Sequence, residues 1–209
     1  MRQTPTSPRK QFSVRTGLLG IFNAANILAA GLFGHAADIP VDAVRQGVES
    51  LRGVPGRLER VENERGIPIF VDYAHTPDAL RKTLETLKAL SSGRLIVVFG
   101  CGGERDRAKR PVMGRIASEL ADVAIITSDN PRREDPKVII EEIRRGLVGN
   151  AYHIIEDRRE AIAEAIRIAT SKDVVIVAGK GHEDYQIIGT EILHFSDREV
   201  IEEFLHVAA

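Results

Sequence analysis

The sequence predicts an α/β fold of Rossmann-like architecture: a mainly parallel sheet with helices on both faces, preceded by a short helical segment. Two observations lead to this prediction. After residue 56, unbroken apolar runs alternate along the chain with segments of helical periodicity. Strands that are apolar throughout are typical of parallel sheets, because crossover helices bury both of their faces.

The segment before residue 52 predicts two helices. FNAANILAAGLFGH, from Phe22 to His35, is rich in alanine and leucine, and IPVDAVRQGVESL opens with a proline near a helical start. RGVPGRLE then interrupts the pattern with glycine and proline, which makes Gly53 to Gly56 the expected linker. We therefore divide the chain into residues 1–55 and an autonomous α/β domain at residues 56–209.

The α/β domain is expected to repeat one strand and one helix several times. In chain order we expect a strand at 67–74, a helix at 77–90, a strand at 94–100, a helix after Pro111, a strand at 122–128, a helix after Pro136, a strand at 152–157, a helix at 158–170, strands at 173–179 and 192–195, and a helix from Asp197.

Composition excludes several classes of protein. The formal net charge of -1 gives no reason to expect nucleic-acid binding. The polar, basic start lacks a following apolar run, so we expect neither a signal peptide nor a membrane span. The single cysteine, Cys101, can form no internal disulfide and suggests no structural metal. These features favour a cytoplasmic protein.

Four polar loops follow four of the predicted strands. They are DYAHTPD, GCGGERDRAKRP, SDNPRREDP and AGKGHEDYQ. In open α/β sheets, ligands bind at the carboxyl ends of the strands. Neither glycine-rich loop completes a nucleotide motif, because Arg105 stands where GxGxxG needs glycine and Gly181 where a Walker motif needs serine or threonine. The sequence therefore contains no complete ATP phosphate loop.

The charges in these loops would suit a zwitterionic amino acid. Arginine side chains bind carboxylates in a bidentate geometry, asparagine both donates and accepts, and a carboxylate such as Glu183 can receive an ammonium group. Taken singly, each feature also has a structural explanation. His75 could begin a helix, Asn130-Pro131 could form a turn, and an exposed charged loop is commonly only solvated.

Seven ordered blocks resemble the motifs of Mur ligases of the MurE type, namely GIFNAAN, GVPGRLE, VDYAHTPDAL, FGCGGERDRAKRP, TSDNPRREDP, AGKGHEDYQ and FSDREV. The resemblance extends from about Phe12 to Leu205. It implies an ATP- and Mg²⁺-dependent amide ligase of peptidoglycan synthesis. Such a ligase adds meso-diaminopimelate to UDP-N-acetylmuramoyl-L-Ala-D-Glu through an acyl phosphate.

The resemblance also implies a three-domain enzyme. Residues 1–55 would be the end of the central ATPase domain with its linker, and residues 56–209 the C-terminal Rossmann-like domain. The phosphate loop and the magnesium ligands would lie in the other domains, which are then the partners of this chain. We therefore expect the isolated chain to be inactive and to bind no cofactor firmly, and we assign no catalytic residue and no metal ligand within it.

Site residues follow from the same resemblance. Asn23 and Asn26 match positions near the adenine of ATP, although the pair could also simply begin a helix. Arg57 matches an ATP phosphate contact, Asp72 a ribose contact, and His75 lies in the same nucleotide-facing loop. The positions that match diaminopimelate contacts are Arg105, Asp129, Asn130, Pro131, Arg132, Gly179 and Glu183.

The DNPR block bears on the choice of amino acid. Enzymes that use diaminopimelate resemble DNPR here, and Arg132 could pair with the carboxylate that lysine lacks. The sequence departs from the usual pattern at Ile21, Glu104 and Ala108. The alternatives are a lysine-adding ligase, a cyanophycin-synthetase-like module and a non-catalytic binding module.

Overall fold

The computed structural model describes residues 13–206, so the start of the resemblance at Phe12 and the polar chain start lie outside the described residues. The chain forms two compact units, divided between Arg52 and Gly53. The first contains helices α1 (Ile21–Ala36) and α2 (Val41–Ser50), as predicted. They approach closely at Gly34, where a Cβ atom would lie 2.6 Å from Val44 Cγ2. The domain boundary at residues 55–56 stays a prediction.

Within residues 53–206, the second unit contains eight strands and five helices. They are β1 (Glu59–Val61), β2 (Ile69–Asp72), α3 (Pro77–Lys88), β3 (Leu95–Phe99), α4 (Lys109–Leu120), β4 (Val123–Ile126), α5 (Pro136–Arg144), β5 (Tyr152–Ile154), α6 (Arg158–Ile168), β6 (Val174–Ala178), β7 (Tyr185–Ile188), β8 (Glu191–His194) and α7 (Asp197–His206).

The main sheet confirms the predicted architecture. Its strand order is β1-β2-β6-β3-β4-β5, and the five strands from β2 to β5 in this order are parallel. Three details were wrong, and one of them is strand β7, which was not predicted. The short strand β1 pairs antiparallel with β2 and was not expected. The run near residues 192–195 does not join the series, because β8 pairs only with β7 in a separate hairpin.

The helices cover both faces of the sheet. Helices α3, α4 and α5 pack side by side on one face, while α6 and α7 pack together on the other. The core of the second face joins alternate residues of the strands, such as Val71, Val98 and Val177, to Ile162 and Ile201 of these two helices. Because both faces are buried, the central strands β2, β3 and β6 expose none of their residues.

Local signals explain where several helices begin. The side chains of Thr76, Asp135 and Asp157 each accept a hydrogen bond from a backbone N–H in the first turn of α3, α5 and α6. Helix α4 begins at Lys109 rather than after Pro111. A proline in a first turn costs no helical hydrogen bond, since the N–H groups there have no intrahelical partner. In the described part, no helix is long and apolar enough to cross a membrane.

Candidate functional site

The four polar loops meet at the carboxyl edge of the sheet around an open cleft of about 770 Å³. The parallel order of β2, β6, β3 and β4 makes these loops neighbours in space. Most of the residues predicted for a site line this cleft, namely His75, Arg105, Asp129, Asn130, Arg132, Gly179 and Glu183. The structure thus brings these side chains together, while their contacts with ligands stay predictions.

Asn130 lies at the centre of a buried hydrogen-bond network. Its Oδ1 atom accepts from Lys180 Nζ and from the backbone N–H of Ile187, each at 3.0 Å. Its Nδ2 atom donates to Glu183 Oε2 at 3.1 Å. The residue is only 4% exposed. Asn130 therefore links the loop after β4 to the loop after β6 and to β7.

Arg132 projects from the same loop with an unusual backbone conformation. Its φ angle is 54°, and its N–H donates to Ile187 O while its carbonyl accepts from Gly189 N. In the guanidinium, Nη1 donates to Gly103 O at 2.8 Å. Among the described residues, the hydrogen bonds of this guanidinium use only Nη1. Nε and Nη2 therefore stay available for a carboxylate in the cleft.

Pro131, the other predicted member of this loop, is buried but does not line the cleft. Its carbonyl accepts from Glu134 N at 3.1 Å and occupies the space in which a side chain at Gly103 would lie. The loop that contains Asn130 and Pro131 therefore packs tightly against the loop that contains Gly103. This contact supports a structural role rather than a direct ligand contact.

Lys180 is a member of the site for which the sequence predicted no role. Its side chain is fully buried, and Nζ donates to Asn130 Oδ1 at 3.0 Å and to Tyr185 O at 2.5 Å. Asp129 Oδ1 lies 3.4 Å from the same nitrogen. Burial lowers the pKa of Lys180 below its ordinary value of 10.5, and the charge of Asp129 opposes this shift. A buried lysine is uncommon, and here it is surrounded by oxygen atoms.

Asp129 leaves one buried oxygen without a hydrogen bond. Asp129 Oδ1 has no hydrogen-bond partner among the described residues, although Lys180 Nζ lies nearby. Gly179 faces this carboxylate with a φ of 120°, and a Cβ atom there would lie 3.5 Å from Asp129 Oδ2. A glycine therefore keeps the approach to Asp129 open. Oδ1 is buried beside Lys180, so Oδ2, on the side of Gly179, is the oxygen that can accept a hydrogen bond from a ligand.

A buried arginine shapes the loop after β3. The fully buried Arg110 donates to both carboxylate oxygens of Glu134, at 2.9 and 3.0 Å, and to Glu142 Oε2 at 2.6 Å. The bonds from Arg110, followed by the N–H of Glu104, lower the pKa of Glu134 from 4.5 to about 2. This network holds the loop, while Arg105 is exposed at the cleft.

Tyr73, a second residue without a predicted role, organises one wall of the cleft. The guanidinium of Arg57 lies 4.8 Å from the ring centroid, and the rings of His75 and His182 lie at 4.5 and 5.5 Å. The Tyr73 hydroxyl donates to Glu183 Oε1 at 3.4 Å. Burial, followed by the charge of Glu183, raises the pKa of Tyr73 above 10.0. Arg57 and His75 therefore both pack against the ring of Tyr73.

Asp72 does not line the cleft, because its carboxylate points into the protein. It accepts from the N–H groups of Leu58 and Ala74 at 2.7 and 2.9 Å, and from Thr83 Oγ1 at 3.2 Å. Burial raises the pKa of Asp72 above 3.8, and these hydrogen bonds and the charge of Arg57 oppose the shift. The geometry supports a structural role, and the expected ribose contact stays a prediction.

Asn23 and Asn26 belong to α1, in the first unit. Asn23 Nδ2 donates to Leu19 O at 2.7 Å, and Asn26 Nδ2 donates to Asn23 Oδ1 at 3.2 Å. These bonds show local roles at the start of the helix. The expected contact of both residues with adenine stays a prediction.

A buried ion pair lies directly behind the cleft. Arg158, at the start of α6, donates from Nε and Nη2 to the two carboxylate oxygens of Asp197 at 2.7 and 2.8 Å. The same guanidinium donates to Ala178 O at 3.1 Å. The pair therefore fixes the ends of β6, α6 and α7 against one another directly behind the cleft.

Comparison with known proteins identifies the family. The model of the Mur ligase, glutamate ligase domain matches residues 56–181. A UDP-N-acetylmuramoyl-L-alanyl-D-glutamate–2,6-diaminopimelate ligase of Geobacter metallireducens is 49% identical, over 95% of this chain and 42% of the relative. The ligase of the same name from Gloeobacter violaceus is 50% identical, over 98% of this chain and 42% of its own length. The chain thus spans about two fifths of these curated relatives.

Solved structures agree with this result. The structure of a UDP-N-acetylmuramoyl-L-alanyl-D-glutamate–2,6-diaminopimelate ligase matches with a TM-score of 0.73 and 42% identity, over 97% of this chain and 42% of that one. A UDP-N-acetylmuramate–alanine ligase from Thermotoga maritima shares the fold, with a TM-score of 0.66 at 19% identity, over 96% of this chain and 41% of that one. The chain therefore belongs to the Mur ligase family.

Proposed function

We propose that this chain is the amino-acid-binding part of an ATP-dependent ligase that joins meso-diaminopimelate to UDP-N-acetylmuramoyl-L-Ala-D-Glu. The observation that carries the proposal is the mixed charge of the cleft. Arginines Arg105 and Arg132 line it together with the carboxylates of Asp129 and Glu183. The curated relatives, at 49% and 50% identity, carry the name of this activity. The buried cysteine is compatible with a reducing cytoplasm, where we place the reaction.

The two kinds of charge suit the two kinds of group on the amino acid. The free Nε and Nη2 edge of Arg132 has the geometry for bidentate binding of a carboxylate. Asp129 and Glu183 supply acceptors for an ammonium group. Lysine has no second carboxylate, so its binding would leave the Arg132 edge unpaired, and this favours diaminopimelate.

The role of the chain in the reaction is positioning. ATP would phosphorylate the carboxylate of the muramoyl dipeptide and leave as ADP. The neutral amine of the bound amino acid would then attack the acyl phosphate, so that the amide bond forms as inorganic phosphate leaves and the amine loses a proton. Holding that amine near the activated carboxyl group removes much of the entropic barrier of the step. The exposed Arg57 guanidinium and His75 ring suit a nucleotide phosphate. The described residues contain no group of three or more His, Cys, Asp or Glu side chains that could hold a metal ion, and we place the Mg²⁺ ligands in the other domains.

The proposal can be tested with Arg132→Ala and Arg132→Lys in the complete ligase. Loss of the bidentate pair should lower kcat/KM for diaminopimelate about ten- to a hundredfold and reduce discrimination against lysine. The matched control is Arg133→Ala, since Arg133 is the exposed neighbour in the same loop. If Arg132→Ala kept the wild-type kcat/KM for diaminopimelate and still rejected lysine, the DNPR loop would serve only as turn structure.

A further inference from the structure

The buried ammonium group of Lys180 lies close to Asn130, Asp129 and Glu183, the residues proposed to surround the amino group of the ligand. We propose that Lys180 is a positioning residue: it fixes the Asn130 amide, whose Nδ2 holds Glu183, and thereby orients the carboxylates of Asp129 and Glu183 toward the ammonium group of the incoming amino acid. The inference rests on the proposed function, because it names a residue that prepares the same site. Lys180 itself is fully buried and does not line the cleft.

The first step of the argument is the orientation of the Asn130 amide. Both groups that approach Oδ1 are donors, since Lys180 Nζ has only N–H groups and Ile187 contributes its backbone N–H. A flipped amide would place its NH₂ group against the ammonium. The contact with Lys180 therefore directs Nδ2 to Glu183 Oε2, at 3.1 Å. Tyr73 holds the other oxygen of Glu183 at 3.4 Å.

The second step is the balance of charge. Lys180 Nζ lies 3.4 Å from Asp129 Oδ1 and 4.0 Å from Glu183 Oε2. One ammonium group therefore lies near two carboxylates. The guanidinium of the nearby Arg158 is already paired with the carboxylate of Asp197. This arrangement leaves one negative charge for a ligand cation. Asp129 Oδ1 is buried beside Lys180, so Oδ2, on the side of Gly179, is the Asp129 oxygen left for the ligand.

The third step separates positioning from simple packing. If Lys180 only filled space, a side chain of similar length without charge would preserve ligand binding. If it positions the acceptors, such a change would leave Asp129 and Glu183 to repel each other and would free the Asn130 amide to rotate. The binding of a ligand ammonium would then be lost selectively, because the hydrogen bonds of Lys180 reach Asn130 and Tyr185 and do not involve the Arg132 guanidinium.

The test compares Lys180→Met, which removes donor and charge, with Lys180→Gln, which keeps a donor. In the complete ligase, we expect Lys180→Met to raise the KM for diaminopimelate about ten- to a hundredfold, with smaller changes in kcat and in the KM for ATP. Lys180→Gln should fall between this variant and the wild type. The control is Lys82→Met, since Lys82 forms an exposed ion pair with Asp78.

Pimelate, the same diacid without amino groups, provides the decisive comparison. In competition binding, Lys180→Met should weaken diaminopimelate about ten- to a hundredfold and leave the affinity for pimelate unchanged. Equal weakening of both ligands would show general damage to the site and overturn the inference. Unchanged binding of diaminopimelate would overturn it as well.

A ligand-free measurement distinguishes this inference from the proposed function. In the 209-residue chain, the side-chain amide signals of Asn130 should shift and broaden in Lys180→Met and stay in place in Lys82→Met. Unmoved Asn130 signals would refute the positioning role. Failure of the wild type to bind diaminopimelate would instead refute the proposed function. If Lys180→Met does not fold, the same measurements on Lys180→Gln decide the question.

Discussion

The buried pair of Arg110 and Glu134 makes a quantitative prediction about stability. The pKa of Glu134 falls from 4.5 to about 2, chiefly through the hydrogen bonds from Arg110. At 1.36 kcal/mol per pH unit, this corresponds to a ceiling of roughly 3 kcal/mol. The Glu134 side chain is 22% exposed, so solvent screens part of the interaction. We therefore expect Glu134→Gln to lower the free energy of unfolding at pH 7 by about 2 kcal/mol.

The same pair predicts how this difference depends on pH. Because the pKa of Glu134 is lower in the folded state, its stabilising contribution is complete well above pH 4.5 and is lost as the pH falls through about 2. Urea unfolding of the wild type and Glu134→Gln should therefore give curves that converge between pH 6 and pH 2.5. The control is Glu141→Gln on helix α5, because the Glu141 side chain is 43% exposed and its pair with Arg144 should change stability little. A difference that is independent of pH, or equal in the two variants, would refute this explanation.

Two further predictions concern the loop after β3. Burial raises the pKa of the Cys101 thiol to about 12, so a disulfide reagent at pH 8 should modify Cys101 only after denaturation, and rapid reaction of the native chain would contradict its burial. Gly103→Ala would place a methyl group against the carbonyl of Pro131 and should lower the free energy of unfolding by about 3 kcal/mol or more in urea titrations. The control is Gly47→Ala. A Cβ atom at residue 47 has no neighbour within 4 Å, and alanine at this position should stabilise helix α2.

The sequence predicts the parts of the fold that depend on local pattern. Strands β3 and β6 are apolar throughout, β2 is apolar up to Asp72, and α3 and α5 begin with a capping side chain followed by proline. Strand β1 lacks such a pattern, since ERV is charged and gains its conformation by pairing with the edge of β2. Strand β7 was missed because its residues are half-exposed. The two residues between β7 and β8, Gly189 and Thr190, are a hairpin signal that could have revealed it.

The location of the candidate site was predictable for a similar reason. Parallel strands end at one edge, so polar loops that follow several strands must come together. The partners of individual charges were not predictable, because they depend on distances between loops far apart in the chain. Arg110 pairs with Glu134, 24 residues away, and Lys180 reaches Asn130, 50 residues away. Arg105, which lies shortly before Arg110 in the chain, carries the same guanidinium group but is exposed at the cleft.

This difference indicates which charged side chains hold the loops in place and which remain free to bind a ligand. A charged side chain whose donors or acceptors are all used within the protein can fix a loop but has little capacity left for a ligand. Arg110 and Lys180 serve mainly as support, since both are fully buried and direct their charge to acceptors of the protein, although Arg110 Nε makes no hydrogen bond among the described residues. Arg132 and Asp129 keep atoms without hydrogen bonds to the described residues. A cationic edge and an anionic oxygen thus remain in one cleft, and a zwitterionic amino acid can satisfy both at once, whereas a simple anion or cation can satisfy only one.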